Sequence, residues 1–272
     1  MTTDATSQST EIGRAKVKRA ALLIIGNEIL SGRTQDVNLN HIAKALGSIG
    51  VRLGEARVIA DDAPRIVAAV RELSAGYDYV FTTGGIGPTH DDITADCVAE
   101  AFGVDIGEHP EAMRRLAAHY AAQGTEFNAA RRRMARIPEG AELVDNPVSV
   151  APGFRIGNVH VMAGVPRIMQ AMLAGILPTL TGGPLLLSRT IACELPEGAM
   201  AEGLAAIQDR YRQVEIGSYP GFARARFRAQ IVLRSTEVPA LDAATEEVMT
   251  MIRSLGDAPV LMGESDNAPE AA

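Results

Sequence analysis

Cysteine is scarce: Cys97 and Cys193 are the only two in 272 residues. They lie far apart and show no CxxC or CxxH spacing, which excludes a disulfide framework and a thiolate zinc site and makes a reducing cytoplasm the expected compartment. Long apolar runs are missing too. The "LLII" at 22–25 is far shorter than a signal-peptide core or a bilayer span, so no membrane association is expected. Basic charge is outweighed, with 26 Lys and Arg against 33 Asp and Glu for a net charge of -7. A nucleic-acid reader needs a basic field that displaces counterions from phosphates, so no nucleic-acid partner is expected, and any anionic ligand must be held by local groups. Repeats, low-complexity tracts, a GxGxxG fingerprint and a Walker GK[ST] are absent as well, which disfavours a standard dinucleotide or P-loop fold.

What is present is enough apolar material for a substantial core, 47% of residues against 22% charged. The length suits one large and one small domain. The segment "RAALLIIGNE" reads as a buried strand. "DVNLNHIAKALGSIG" reads as a helix with Leu39, Ile42, Ala43 and Leu46 on one face, Asp36 or Asn38 as N-cap and Gly50 as its stop. "VRLGEARVIA" and "DDAPRIVAAVRELSAG" repeat the pattern, with Asp62 before a proline-opened helix. "YDYVFTT" and "ITADCVAEAFG" repeat it again. Three successive strand-helix units imply a parallel sheet covered on both faces. The Gly157-Asn158 pair marks a hairpin that extends the sheet with antiparallel strands. After "TGGP" at 181–184, the remaining segments read as β-α-β-β-α, a small α+β domain. The expected organisation is a tail over 1–18, an α/β domain over 19–183, a small KH-like α+β domain over 184–262 and a tail over 263–272. The KH-like order comes without the GXXG clamp of a nucleic-acid reader. Packing or dimerisation is the role expected of the small domain, and a homo-oligomer, a dimer first, the expected state.

Two strand-to-helix loops concentrate unusual residues. "TTGGIGPTHDDIT" at 82–94 places Gly84, Gly85 and Gly87 before Thr89, His90, Asp91 and Asp92. Bare backbone lets N–H groups approach a phosphate, and the following helix amino terminus adds partial positive charge. Adjacent aspartates repel a phosphate unless a divalent cation such as Mg2+ bridges the two. "GNEILSGRTQDVN" at 26–38 brings Asn27, Glu28, Asp36 and Asn38 to the end of the first strand. In a parallel sheet two such loops converge on one crevice. Taken singly these residues are caps and turn formers. By the same reasoning His90 is an exposed turn imidazole, Met134, Met162, Met169 and Met172 fill the core, and Cys97 is inert on a buried stripe.

These two motifs, in this order, resemble the molybdopterin-binding MoaB/Mog-like family, and within it the amino-terminal branch of the competence/damage-inducible CinA proteins. "IPEGAELVDNPVSVAPGF" and "VHVMAGVPRIMQAML" continue the resemblance, and "VEIGSYPGFARARFRAQIVLRS" is similar to the matching domain of FAD synthases. The resemblance implies a three-layer α/β/α fold with a strand-end crevice for a nucleotide or pterin diphosphate. It further implies metal-dependent cleavage of nucleotide pyrophosphates such as ADP-ribose or FAD, with Mg2+ or another divalent ion as cofactor. The alternatives are molybdopterin binding without turnover, and molybdopterin adenylyl transfer. Carried over by position, Asp92 matches the metal-linked aspartate and Asp91 stands beside it as a second metal ligand. Gly84, Gly85, Gly87 and Thr89 line the phosphate loop, Asn27, Glu28 and Asn38 match the first motif, and Arg133 is the basic residue before the "IP" segment. Glu28 is the candidate for orienting an attacking water. Two positions depart from the family pattern: Ala163 stands where relatives carry proline, and Ile168 where they carry an acidic residue. No deamidase or FMN adenylyltransferase domain is recognised, so neither activity is expected of this chain.

Overall fold

The structure is a computed structural model that describes residues 17–221 and 228–263. The expected tails therefore fall almost entirely outside the described residues, as does part of the FAD-synthase-like motif. Lys18, placed in the amino-terminal tail by the sequence, instead opens the first strand. The chain divides after Pro184 into two compact units.

The first unit begins with β1 (Lys18–Ile25), a one-turn α1 (Asn27–Leu30), α2 (Asn38–Gly47), β2 (Val51–Ile59), α3 (Ala63–Gly76), β3 (Tyr79–Thr83) and α4 (Thr94–Phe102). It continues through β4 (Ile106–Glu108), α5 (Pro110–Ala122), α6 (Ala129–Arg132), β5 (Arg136–Pro138), β6 (Glu142–Val144), β7 (Gly153–Ile156), β8 (Val159–Met162) and α7 (Pro166–Ile176). A six-stranded sheet runs in the order β2-β1-β3-β8-β7-β6. β2, β1, β3 and β8 are parallel, while β7 and β6 are antiparallel additions. β1 shows why its apolar run does not alternate with polar residues. Ala21, Leu23 and Ile25 meet α3 and α4 on one face, and Ala20, Leu22 and Ile24 meet α2 and α7 on the other, so both sides are buried. The result is a three-layer α/β/α sandwich.

Several local signals act where the sequence places them, although α2 ends at Gly47, before the expected stop at Gly50. Asp62 accepts the Arg65 N–H at 3.1 Å and caps α3. Gly103 ends α4 in the left-handed region at φ 68°. Of the two candidate caps for α2, Asp36 takes the role by accepting the Leu39 N–H at 2.9 Å. Leu39 itself is exposed, so the buried stripe of α2 is Ile42 and Leu46. β4, β5 and β6, each three residues long, are too short to show a period and are not apparent in the sequence.

The second unit comprises β9 (Leu187–Cys193), α8 (Glu197–Arg210), β10 (Glu215–Pro220), β11 (Ala229–Ser235), α9 (Val238–Ser254) and β12 (Val260–Leu261). Its antiparallel sheet runs β10-β11-β9-β12, so a two-residue edge strand is added to the expected β-α-β-β-α. Ile191, Ile231 and Leu233 of the sheet pack on Ile207 of α8 and Leu241, Val248 and Ile252 of α9. Burying each such side chain stabilises by about 1.5–3 kcal/mol. Among the described residues no helix is long and apolar enough to cross a membrane.

Candidate functional site

β1 lies between β2 and β3, and the chain leaves β1 toward α2 on one face but leaves β3 toward α4 on the other. Two loops that part in this way open a crevice at the carboxyl ends of the strands, the usual ligand position in an open α/β sheet. The glycines of the second loop are required by contact as well as by conformation. Gly84 has φ 103°, and a Cβ there would stand 2.1 Å from the Ile25 carbonyl oxygen. Gly85 has φ 67°, with its Cβ position 2.1 Å from the Thr94 hydroxyl. That hydroxyl donates to the Gly84 carbonyl at 3.0 Å, and the Thr94 N–H donates to the Gly85 carbonyl at 3.0 Å, which locks the loop onto the first turn of α4. A Cβ at Gly87 would lie 2.7 Å from Asp92 Oδ2.

Asp92 folds back over this loop. Its Oδ2 accepts the Thr89 N–H at 2.8 Å and the Thr89 hydroxyl at 2.5 Å. The Arg133 Nη2 donates to the Asp92 backbone carbonyl at 3.2 Å, so the arginine taken from the "IP" segment does reach the glycine loop. Asp91 points its carboxylate to solvent. The neighbouring Thr89 hydroxyl, then its own backbone N–H, hold the Asp91 carboxyl below the usual carboxylate range. His90 is 99% exposed in its side chain, 4.0 Å from Asp91.

In the first loop, Glu28 is exposed and its carboxylate lies over Gly26, 2.6 Å from where a Cβ would be. The Asn27 backbone N–H donates to Asp61 Oδ2 at 2.9 Å, which ties this loop to the end of β2. Asn38 is only 4% exposed, and its Nδ2 donates to the Gly164 carbonyl at 2.8 Å. Gly164 in turn lies against Gly84, since a Cβ on it would stand 3.2 Å from the Gly84 Cα. Asn38 thus fixes the loop after β8 beside the glycine loop, while its Oδ1 is buried with no protein partner. Cys97 is buried on α4, and burial pushes its thiol up to about 11, which keeps it protonated and unreactive.

Sequence reasoning missed Asp61, Gly164, Asp96 and Arg136. Asp61 was legible only as one of a pair of aspartates, of which Asp62 is the cap. Asp96 and Arg136 become visible through a cavity of about 20 Å3 behind the glycine loop, lined by Gly85, Gly87, Asp92, Asp96, Arg133 and Arg136 among others.

Among the described residues no group of three or more His, Cys, Asp and Glu side chains is placed to hold a metal. The carboxylates present still suit Mg2+ in one form. This ion commonly takes one or two carboxylates and completes its shell with water and ligand oxygens, and Asp91 and Asp92 would supply that minimum beside the glycine loop. At the departing position, Ile168 packs into the apolar cluster between α2, α7 and the sheet.

Comparisons with known proteins bear on the family and the fold. A family profile described as "Probable molybdopterin binding domain" matches residues 21–182, and one described as "FAD synthase, middle domain" matches 185–256. A "CinA-like protein" of Citrifermentans bemidjiense is 42% identical over 60% of this chain and 41% of its own length. A "Probable FAD synthase" of Caenorhabditis elegans is 32% identical over 88% of this chain and 50% of its own. The chain spans about half the length of the curated relatives it matches. A crystal structure of the protein CinA, of unknown function, from Thermoplasma acidophilum matches with TM-score 0.55 and 32% identity. It covers 60% of this chain and 98% of that one. The chain belongs to the molybdopterin-binding domain family, as a CinA-like member whose second unit matches the middle domain of FAD synthases.

Proposed function

We propose that this protein is a metal-dependent hydrolase that cleaves the diphosphate of dinucleotides such as ADP-ribose or FAD. The observation that carries the reading is the glycine loop, where backbone atoms of Ile25 and the hydroxyl of Thr94 forbid side chains at Gly84 and Gly85. That bare loop opens α4, whose amino terminus favours an anion, and it ends at Asp91, Asp92 and the Arg133 guanidinium. In the reaction a water oxygen bonds to one phosphorus as the bridging P–O bond breaks, giving two phosphomonoesters. Glu28, exposed on the neighbouring loop, accepts the water's proton. The backbone N–H groups of the loop and Arg133 hold the non-bridging oxygens as charge builds on them. Asp91 and Asp92 would hold the divalent ion, which when bound supplies charge neutralisation and a more acidic water.

The test is to incubate the protein with ADP-ribose or FAD, with and without Mg2+ or Mn2+, and to follow nucleotide monophosphate by chromatography. Metal-dependent release that falls at least about a hundredfold in Asp92→Asn is expected, the scale for losing a group that positions transition-state charge. Full turnover in Asp92→Asn would remove the assignment. A second reading, binding of a pterin diphosphate without turnover, is favoured by Ile168, which puts an apolar side chain where CinA relatives carry an acid. It predicts tight molybdopterin binding that survives chelation and no monophosphate release.

A further inference from the structure

Arg133 opens a single 3₁₀ turn, Arg133–Ala135, and Arg136 follows it directly. Side chains three residues apart eclipse in such a turn, so the spacing brings both guanidinium groups to one side. Both line the cavity behind Gly85 and Gly87. In each, the Nε is buried without a hydrogen-bond partner. Arg133 is spoken for at Nη2 by the Asp92 carbonyl, and Arg136 at Nη2 by Asp96 Oδ1. The two arginines are therefore held in place from one edge while each keeps a buried donor unsatisfied. Buried donors of this kind are almost always met by protein, water or ligand, and a guanidinium fork is shaped for a phosphate oxygen. At about 20 Å3 the cavity has room for roughly one water-sized group, so it admits an oxygen atom but no base or sugar.

We propose that Arg136, with Arg133, forms the closed end of the diphosphate site, that one non-bridging phosphate oxygen occupies the cavity, and that Asp96 positions Arg136 for it. Arg136 thereby helps to hold a diphosphate against the glycine loop. The inference rests on the reading of the crevice as a diphosphate site but requires neither metal nor turnover. It accounts for why an otherwise acidic loop holds an anion without a basic surface: the positive charge is confined to two guanidinium groups behind it.

The test is calorimetric titration with inorganic pyrophosphate in the presence of a chelator, using wild type, Arg136→Met, Arg136→Lys and Asp96→Asn. Losing a charge-assisted hydrogen bond weakens binding by about tenfold or more, so Arg136→Met is expected to lose at least that factor. Arg136→Lys keeps the charge but not the fork and is expected to recover only part of the loss. Asp96→Asn, which leaves Arg136 intact, is expected to lose less than Arg136→Met. Circular dichroism and melting temperature report whether each variant is folded, and Arg136→Lys serves if Arg136→Met is not. Equal pyrophosphate affinity in folded wild type and Arg136→Met overturns the proposal, as does absence of pyrophosphate binding by wild type. Release of monophosphate by wild type together with unchanged affinity in Arg136→Met overturns this proposal and leaves hydrolysis standing. No release, together with affinity that falls in Arg136→Met, overturns hydrolysis and supports this site.

Discussion

His160 gives the most sharply quantified prediction. It sits on β8, 3% exposed, stacked on Phe81 with ring centroids 5.1 Å apart and edge-on to Tyr79 at 6.3 Å. Burial, with Arg155 adding to it, lowers the imidazole from 6.5 to about 4, against opposing contributions from the backbone at Val80 and Asn158 and from Glu142. Because the folded value is depressed, the folded protein binds fewer protons than the unfolded chain. The stabilisation is therefore complete above the unfolded value of 6.5 and is lost as pH falls toward 4. At about 1.4 kcal/mol per pH unit the whole effect is about 3 kcal/mol, and about 2 kcal/mol of it is lost between pH 8 and pH 5. The assay is urea denaturation across that range for wild type and His160→Phe, which keeps a ring between Tyr79 and Phe81. Whatever the substitution costs in packing is a constant offset at every pH, and titration of the other groups is shared by both proteins. The difference between the two stabilities should thus shift by about 2 kcal/mol in the variant's favour as pH falls from 8 to 5. Parallel curves would refute the reasoning.

Two backbone predictions separate conformation from contact. Gly84→Ala faces both φ 103° and the Ile25 carbonyl 2.1 Å from the new Cβ, whereas Gly124→Ala faces φ 62° with nothing within 4 Å. The second should cost about 1 kcal/mol and the first at least about 3 kcal/mol; equal costs in thermal or urea denaturation would show that the loop yields. Val150 is a β-branched residue held at φ 68°, in a turn organised by Asn146, whose Oδ1 accepts from the Val148 and Ser149 N–H groups at 3.0 Å. Val150→Gly should stabilise by up to about 1 kcal/mol by releasing that strain, and a lower melting temperature would count against it.

The sequence discloses most of the fold where the physics is local and repeated. Asp62 and Gly103 act at their helix ends as their chemistry requires, and the unbroken apolar run of β1 signals a strand covered on both faces. Gly84 and Gly85 announce a loop that cannot carry side chains, though the reason, the Ile25 carbonyl and the Thr94 hydroxyl, is tertiary. The same limit governs the site. Arg133 is legible because it precedes a motif, whereas Arg136 looks like one more charge in "ARRRMAR" until a 3₁₀ turn and Asp96 place it in the same cavity. Three-residue strands such as β5 leave no period to detect, so the element that sets this turn's direction is silent in the sequence.

On the proposed function, Asp92 would serve fold and chemistry together. Its Oδ2 closes the turn by accepting both donors of Thr89, and its backbone carbonyl anchors Arg133. A carboxylate fixed by hydrogen bonds costs little further reorganisation when a cation arrives, which is the condition for strong electrostatic stabilisation. Asp91 has the opposite setting: it faces solvent, with its carboxyl held below the usual carboxylate range by the Thr89 hydroxyl and its own backbone N–H. The adjacent pair thus differs in setting: Asp92 turns inward and shapes the loop, and Asp91 faces solvent. On the proposed reading, the outward carboxylate is the one an incoming cation meets first, while the inward one keeps the loop in shape whether or not a ligand is bound.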